Sequence, residues 1–516
     1  MAKVNLDAII PREDFEVEEN ATPGKKKETL SIEDIKADSF FFSNVRKPDF
    51  QRETNEWDGK KIVDFIESFL DGDLIPAIIL WRSSGGYLFV IDGSHRLSSL
   101  AAWINDDYGD GHISKQFYDG IIPDEQLGIG EETRKLIRRR IGSYSDFKLA
   151  LSNPEKVPQS IQKKAKNLGA LAIQLQWVDG GASKAENSFF KINQQAAPID
   201  KTELILLESR KKPNCVAARA IVRSGKGHKY WSTFSVDNQK ILQELAHEVN
   251  SVLFAPKLET PIKTLDIPIG GKVYSAQTLP LILDFVNIVN DIPADFKTSL
   301  NDDATGEATI NLLRQTRKIA WRINSNHPSS LGLHPIVYFY SHEGRHKVAS
   351  FYATLSFIKE LEKKGALNDF VRVRALFENI LLQNDHLIQQ INRKYRSAIG
   401  SYLYIKDFYI AIVELLKNGI PEGNVLSELV KSSGFSYLTM NVEQSEIISS
   451  KFSTERKSAI YIREALANAP KCNICGGYIH RNSITIDHIN RKQDGGLGAL
   501  DNGQIAHPYR NTTFKN

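Results

Sequence analysis

The sequence predicts an α+β protein with three parts: an N-terminal α/β domain, a helical middle domain and a small C-terminal module with metal ligands. Strand and helix patterns alternate over the first 230 residues, and helical spacing of apolar residues dominates the middle. A cluster of Cys, His and Asp residues follows Pro470. We place a polar, mobile arm at 1–30, the α/β domain at 31–231, the helical domain at 232–450 and the module at 451–516.

The bulk properties are those of a soluble multidomain protein. The chain has 516 residues, too many for one hydrophobic core. No apolar run approaches the roughly 20 residues of a membrane helix, so no membrane partner is expected. Three cysteines (Cys215, Cys472 and Cys475) make no disulfide framework, which favours a cytoplasmic location.

The positive charge is concentrated near the C-terminus. Residues 451–516 contain ten Lys or Arg and five Asp or Glu, which gives this segment +5. Because the whole chain carries +4, everything before residue 451 carries −1. A segment that meets phosphate backbones is expected to be basic, so the distribution supports nucleic-acid binding by the C-terminal module.

Apolar periodicity predicts the individual elements. We expect strands at 77–82, 87–91 and 171–178, with helices at 58–70, 97–104, 184–192 and 202–209. In the second half we expect helices at 348–363, 369–382, 408–417 and 454–469, the last ended by Pro470.

The C-terminal motif combines a zinc-type knuckle with an acid–imidazole pair. Cys472 and Cys475 have the two-residue spacing that grips tetrahedral zinc. Asp487 and His488 end a short predicted strand. The residues that follow at fixed intervals are a Gly495-Gly496 turn, Asn502, Gln504, His507 and Asn511. Each piece alone is compatible with a buried turn or a capped loop, but the ordered set indicates a common site.

In order and spacing this run resembles the HNH endonuclease family, which implies a ββα-metal fold. By that resemblance His488 activates water, Asp487 and Asn511 hold one Mg²⁺ or Mn²⁺, and Asn502 orients the base or its loop. The residue types suit this chemistry. Imidazole changes protonation near neutral pH, hard oxygen ligands suit Mg²⁺ or Mn²⁺, and thiolates suit zinc.

The zinc site departs from the family pattern. A second pair of ligands usually closes the site, and here those places hold His507 and Arg510. A guanidinium has no lone pair to give, so Cys472, Cys475 and His507 are three ligands of an incomplete set. Water or another side chain, with His480 as one candidate, would have to supply the fourth. Zinc binding therefore stays open.

The N-terminal motif lies at a predicted strand–helix junction. The segment Asp92-Gly93-Ser94-His95-Arg96 joins the strand at 87–91 to the following helix. Such a turn presents backbone N–H groups and a positive helix end, and Arg96 with Arg52 adds cations for phosphate. The alternative is structural: Asp92 and Arg96 would cap the helix and form an ion pair.

This stretch, with Gln51 and Arg52 before it and Asn193 in a Phe-x-x-Ile-Asn segment after it, resembles a restriction-protein domain. The family is the ParB-like Asp-Gly-Gln-His/Gln-Arg domain of GmrSD-type and SspE-type restriction proteins. The resemblance covers residues 50–208 and implies a ParB/sulfiredoxin-like fold that binds, and often hydrolyses, an NTP. Ser94 stands where the family usually has Gln, which leaves the nucleotide and its hydrolysis open.

These parts predict a DNA endonuclease of a modification-dependent or anti-phage restriction system, regulated by an NTP. Its expected partners are phage or modified DNA, an NTP and a second copy of the chain, because double-strand breaks need two cutting centres. The alternative is a nucleotide-switched DNA-binding regulator with a degenerate, non-cutting HNH finger, and an RNA target is the third option. A basic run at 134–140 is expected to be a solvated face, with DNA contact as its alternative.

Overall fold

The computed structural model divides into two compact units, Met1–Arg210 and Lys211–Asn516. It describes residues 3–13, 25–48, 51, 54–118, 120, 122, 124–196, 205, 209–225, 231, 233–272, 278–432, 434–440 and 452–513. Within its helices, the side chains at 124, 125, 190, 193–196, 510, 512 and 513 lie outside this description. The predicted helix at 202–209 falls almost entirely outside the described residues.

The first unit is built around a mixed sheet of six strands in the order β1-β3-β5-β4-β6-β2. The pairs β1–β3, β3–β5 and β4–β6 are parallel, whereas β4–β5 and β2–β6 are antiparallel. The strands are β1 (Arg12–Glu13), β2 (Thr29–Ser31), β3 (Val45–Pro48), β4 (Ile78–Arg82), β5 (Leu88–Asp92) and β6 (Ala172–Val178).

Strand β5 shows why both faces of this sheet are covered. Leu88 and Val90 face the larger apolar cluster, and the alternate residues Phe89 and Ile91 face a smaller one. Successive side chains of a strand point to opposite faces, so a run of apolar residues needs packing on both sides. The helices of this unit are α1 (Phe40–Ser43), α2 (Gly59–Asp71), α3 (Ser94–Asn105), α4 (His112–Phe117), α5 (Asp124–Arg140), α6 (Tyr144–Ser152), α7 (Gln159–Leu168) and α8 (Ala182–Ala196).

The expected mobile arm at 1–30 is wrong for its described parts. Val4, Leu6, Ile9 and Ile10 are buried in the larger apolar cluster. Farther along, 29–31 form strand β2 at the edge of the sheet. The polar composition of this segment concealed a few apolar residues whose burial outweighs the cost of ordering the chain.

The second unit is mainly helical, as the sequence predicts for the middle of the chain. Its core contains many edge-on aromatic pairs, including Phe357–Phe370 and Phe377–Tyr409. The helices are α9 (Pro213–Val222), α10 (Val236–Phe254), α11 (Thr278–Val289), α12 (Phe296–Ser299), α13 (Glu307–Ile323), α14 (Pro335–Tyr338), α15 (Val348–Lys363), α16 (Leu367–Gln383), α17 (Asp385–Tyr395), α18 (Ala398–Lys417), α19 (Glu422–Lys431) and α20 (Thr454–Ala467).

The boundaries differ from the sequence-based ones at two places. The helical unit begins at Lys211, so α9 belongs to it rather than to a domain ending at 231. The predicted module at 451–516 lies within this same unit, Lys211–Asn516. Strands β7 (Thr485–His488) and β8 (Gly503–Ala506) and helix α21 (Pro508–Thr513) end the unit. No described helix has the length and apolar character needed to cross a bilayer.

Candidate functional site

A β-hairpin followed by a helix carries the Asp487-His488 pair. β7 and β8 are antiparallel, with Asp487 opposite Gln504 and His488 opposite Gly503. The amide of Asn511, on α21, donates from Nδ2 to the carbonyl oxygen of Ile486 at 3.4 Å. The side chain of Asn511 therefore lies against β7, one residue from Asp487.

Asp487 and His488 differ in exposure because they are neighbours on a strand. Asp487 is buried, at 3% exposure, whereas His488 is half-buried. Gln504 donates from Nε2 to Oδ2 of Asp487 at 3.2 Å, so the opposite strand orients the carboxylate. The end of β7 thus presents a fixed carboxylate and a more accessible imidazole.

Asn502 holds the loop that follows His488. Its Oδ1 accepts from the backbone N–H of Asn490 at 2.6 Å, and its Nδ2 donates to the carbonyl of Leu497 at 2.7 Å. The turn in this loop needs both glycines. Gly495 has φ +87°, and a Cβ on Gly496 would lie 1.9 Å from the carbonyl oxygen of Asn490.

Cys472, Cys475 and His507 form a buried cluster, the three-ligand knuckle. Their ligand atoms all lie within 4.8 Å of one another, and in the described part of the chain no other group of three or more Cys, His, Asp or Glu does so. Sγ of Cys475 is 3.4 Å from Nδ1 of His507, and Nε2 of His507 is 3.0 Å from the carbonyl oxygen of Tyr478. A ring N–H directed at that carbonyl leaves Nδ1 to act as a metal ligand.

The protonation of the knuckle favours one thiolate. A hydrogen bond from Cys475 and the nearby His507 hold the pKa of Cys472 below its usual range. The same shared hydrogen bond and burial raise the pKa of Cys475. Burial and the neighbouring Arg374 lower the pKa of His507, which keeps its imidazole neutral. Thiolate and neutral imidazole are the forms that bind zinc.

Arg374, on α16, lies beside the knuckle with its guanidinium fully buried. Its Nη1 is 3.3 Å from Nδ1 of His507 and also donates to the carbonyl of Leu331, while Nη2 donates to the carbonyl of Gly332 at 2.9 Å. Although burial alone would lower the pKa of Arg374, the Glu378 carboxylate raises it. A permanent cation therefore faces the three-ligand knuckle.

Glu378 pairs with Arg374 one helical turn later. Its Oε1 accepts from Nε of Arg374 at 2.6 Å and from the Tyr338 hydroxyl at 3.0 Å, and its Oε2 accepts from the backbone N–H of Tyr478 at 2.9 Å. Sequence reasoning missed this pair. The available signal was an Arg and a Glu four residues apart on the apolar stripe that also contains Phe370 and Phe377.

His480 is not the fourth ligand of the knuckle. Its Nδ1 lies 3.1 Å from Nδ2 of Asn324, and its ring packs edge-on against His334 at 5.5 Å. It lies outside the group of clustered ligand atoms. Burial lowers the pKa of His480 to about 4, so the imidazole is neutral in the folded protein. This sequence-based candidate is therefore wrong.

The Asp92-to-Arg96 turn of the first unit joins β5 to α3 as predicted. Gly93 has φ +97°, and α3 begins at Ser94 without a side-chain cap. Arg96 forms an ion pair with Asp92 and donates from Nη1 to the carbonyl of Pro76 at 2.6 Å. The ion pair of the structural alternative is thus present, whereas its helix cap is not, because the start of α3 has no side-chain cap.

Gln51 contacts this turn, and His95 belongs to it. Nε2 of Gln51 donates to Oγ of Ser94 at 3.3 Å, while its buried Oε1 has no hydrogen-bond partner among the described residues. His95 stacks on Trp57 at 5.7 Å, and its Nε2 accepts from the backbone N–H of Glu56 at 3.3 Å. A buried, unsatisfied acceptor next to a helix start marks a place where a donor is missing.

The side chains of two predicted nucleotide-binding residues lie outside the described part of the structure. Arg52 lies outside the described residues, and Asn193 lies in α8 with its side chain outside the description.

The basic run predicted at 134–140 lies on α5, and much of its charge is neutralised. Arg134 pairs with Asp106, Asp110 and Glu131, and Arg140 pairs with Asp64 and Glu67. The ion-paired, solvated face is the interpretation that these contacts favour.

Comparison with known protein families gives a match within the first unit. Residues 32–208 match the family model of the GmrSD restriction endonuclease, N-terminal domain. The match covers about a third of the chain and lies wholly inside the unit Met1–Arg210. It confirms the GmrSD part of the N-terminal resemblance. No curated protein and no solved structure matches the chain.

Proposed function

We propose that this protein is a metal-dependent DNA endonuclease of a modification-dependent or anti-phage restriction system. The observation that carries the proposal is the placement of Asp487, His488 and Asn511 on one hairpin and the helix after it. The family match of the first unit to a restriction endonuclease domain supports the same conclusion. Strand, strand, helix is also the element order expected of an HNH module.

The residues divide the work of phosphodiester hydrolysis. His488 takes a proton from the attacking water, since its imidazole is only half-buried at the end of β7 and imidazole is a common general base. Gln504 holds the Asp487 carboxylate in place, and Asn502 holds the loop that follows the base. The pairing of β7 with β8 thus orients the carboxylate before DNA arrives, and such preorganisation favours hydrolysis.

The donor set fits a hard divalent cation. The Asp487 carboxylate and the Asn511 amide offer oxygen ligands, which Mg²⁺ and Mn²⁺ prefer. Such an ion supplies positive charge to offset the charge that develops on the phosphate. Gln504 donates to Oδ2 of Asp487, so the opposite strand orients the carboxylate that would hold the ion.

The three-ligand knuckle fits zinc with reduced affinity. Three donor atoms lie close enough for one tetrahedral ion, and Nδ1 of His507 is the nitrogen available to it. The Arg374 guanidinium, 3.3 Å from that nitrogen, repels a dication and competes for the same lone pair. We therefore propose a structural zinc that is more easily lost than zinc in a four-ligand site.

We further propose that the first unit binds an NTP at the Asp92-to-Arg96 turn. Uncapped N–H groups at the start of α3 can donate to phosphate oxygens, and the Oε1 acceptor of Gln51 can receive a donor from the nucleotide. Arg96 can turn from Asp92 to a phosphate. Binding would then bias the protein between a cutting and a silent state.

The second candidate function is a nucleotide-switched DNA-binding regulator. Arg374 beside an incomplete ligand set favours it, because a finger without zinc could have lost cutting while keeping its basic surface. This candidate predicts DNA binding that depends on nucleotide, survives Asp487→Ala and never yields cut ends.

The test is cleavage of modified phage DNA and of supercoiled plasmid by the purified full-length chain with Mg²⁺ or Mn²⁺. Wild type, His488→Ala and the control His112→Ala are compared with each NTP and without one, His112 being an exposed histidine of the first unit. We expect nicked or linear DNA from wild type and His112→Ala, and at least a ~100-fold slower reaction from His488→Ala. Equal, intact DNA in every arm would refute the nuclease proposal and favour the regulator.

A further inference from the structure

A cavity in the first unit opens at the other end of the sheet from the Asp92-to-Arg96 turn. Arg82 and Leu88, paired at the ends of β4 and β5, line it, and Trp177 of β6 lies beside them. Asp92 ends β5 four residues after Leu88, which is about 13 Å along a strand. The cavity has a volume of about 560 Å³, within the roughly 300–1,000 Å³ of ligand pockets.

The wall of this cavity is positively charged. Three consecutive lysines, 25 to 27, and Arg82 line it, against one carboxylate, Asp34, which pairs with Lys27. Lys26 pairs with Asp179, and Lys25 makes no ion pair in the described part of the chain. A concave surface with excess cations concentrates anions such as phosphate.

Aromatic rings line the same cavity. Phe40 is 93% exposed, so its ring is accessible to a ligand from solvent. Trp177 donates from Nε1 to the carbonyl of Lys27 at 2.6 Å, which ties the lysine segment to the sheet. Nζ of Lys26 lies 6.0 Å from the indole centre. Flat rings beside cations are the combination with which proteins hold unpaired bases and their phosphates.

We propose that this cavity binds an unpaired nucleobase of a DNA strand. The base stacks on Phe40 and Trp177, and a flanking phosphate contacts Lys25. Base faces inside a duplex are covered by their neighbours, so the occupant is a single-stranded or flipped-out base. The inference rests on the proposed function only in taking DNA as the polymer, and it involves none of the proposed cutting residues.

Fluorescence anisotropy of a labelled 12-nucleotide single strand tests the proposal. The full-length His488→Ala chain without added divalent metal is used, so that cleavage cannot interfere. Adding Phe40→Ala should weaken binding about 5- to 150-fold, the loss of one stacked base. The control Leu151→Ala removes another exposed apolar side chain of this unit, 72% exposed, and should leave the Kd unchanged.

Salt dependence and competitors complete the test. Lys25→Ala should lower the slope of log Kd against log salt by about 0.7, whereas Lys135→Ala on α5 should not change it. Equal binding by Phe40→Ala and Leu151→Ala would overturn the proposal. So would tighter Phe40-dependent binding of a duplex, or Phe40-dependent binding of dTMP without binding of the strand. These outcomes are independent of whether wild type cuts DNA.

Discussion

Arg374→Met is predicted to loosen the C-terminal module from the helix that supports it. The substitution leaves the Glu378 carboxylate buried without its cation and removes the donors to the carbonyls of Leu331 and Gly332. Breaking one side of a buried ion pair costs ~3–5 kcal/mol. At 1.4 kcal/mol per factor of ten, opening of this region should become about 140- to 3,700-fold more frequent.

Hydrogen exchange measured by mass spectrometry is the assay, because it reads local opening in a chain of two units. The backbone N–H of Tyr478 donates to Glu378, so a peptide covering 470–483 reports on the pair. Its exchange should accelerate by the factor above in Arg374→Met. The control Arg372→Met, an exposed position on the same helix, should change the opening free energy by less than ~0.5 kcal/mol.

The double variant Arg374→Met, Glu378→Gln decides the cause. Removing the stranded charge should recover part of the lost protection, because a neutral amide is cheaper to bury than an unpaired carboxylate. If the double variant exchanges faster than Arg374→Met, the ion pair is not what holds the module. A change below threefold in Arg374→Met itself would refute the reasoning outright.

Three further predictions concern the second unit. Gly496→Ala should abolish cleavage because the new Cβ would collide with the backbone oxygen of Asn490. The control Gly498→Ala, which has open space around it, should cleave DNA as wild type does. A plasmid-nicking assay measures both, and circular dichroism checks that the variants are folded. Burial lowers the pKa of His346 and of His480 to about 4, so the unfolded state binds more protons than the folded state below pH 6.5. Each of the two residues should therefore cost ~2 kcal/mol of unfolding free energy between pH 7 and pH 5. Urea unfolding at the two pH values tests this, and a midpoint that does not change with pH would contradict it. Dialysis of the wild-type protein against a chelator should remove any zinc within hours, and Cys472→Ser should be isolated without zinc. Metal analysis that finds tightly retained zinc in either sample would contradict the three-ligand site.

The strongly periodic elements were predictable from the sequence. Helices α2, α3 and α15 and strands β4 to β6 lie within a few residues of their predicted bounds, because a buried stripe or an alternating face leaves a local pattern. The short strand predicted to end in Asp487 and His488 is present as β7. In such cases the information lies within a short stretch of chain.

Contacts between distant residues were not predictable. Arg374 and His507 are 133 residues apart, and neither belongs to a motif that names the other. His480 was a reasonable ligand by proximity in sequence, but Asn324, 156 residues away, takes its Nδ1. The packing of 3–13 could not be predicted for the same reason. Its four buried apolar side chains stabilise the segment only through contacts with residues that are distant in the sequence.

The Arg374–Glu378 pair has a consequence for the mobility of the C-terminal module. Gly332, beside that pair, has φ +61°, and a Cβ there would lie 2.4 Å from Cδ2 of His507. The loop that contains Gly332 therefore packs directly against the C-terminal module. Such a module cannot swing freely on a linker, because moving it would uncover a buried charge. A chimaeric protein that received only residues 470–516 would therefore lack the helix against which those residues are fixed.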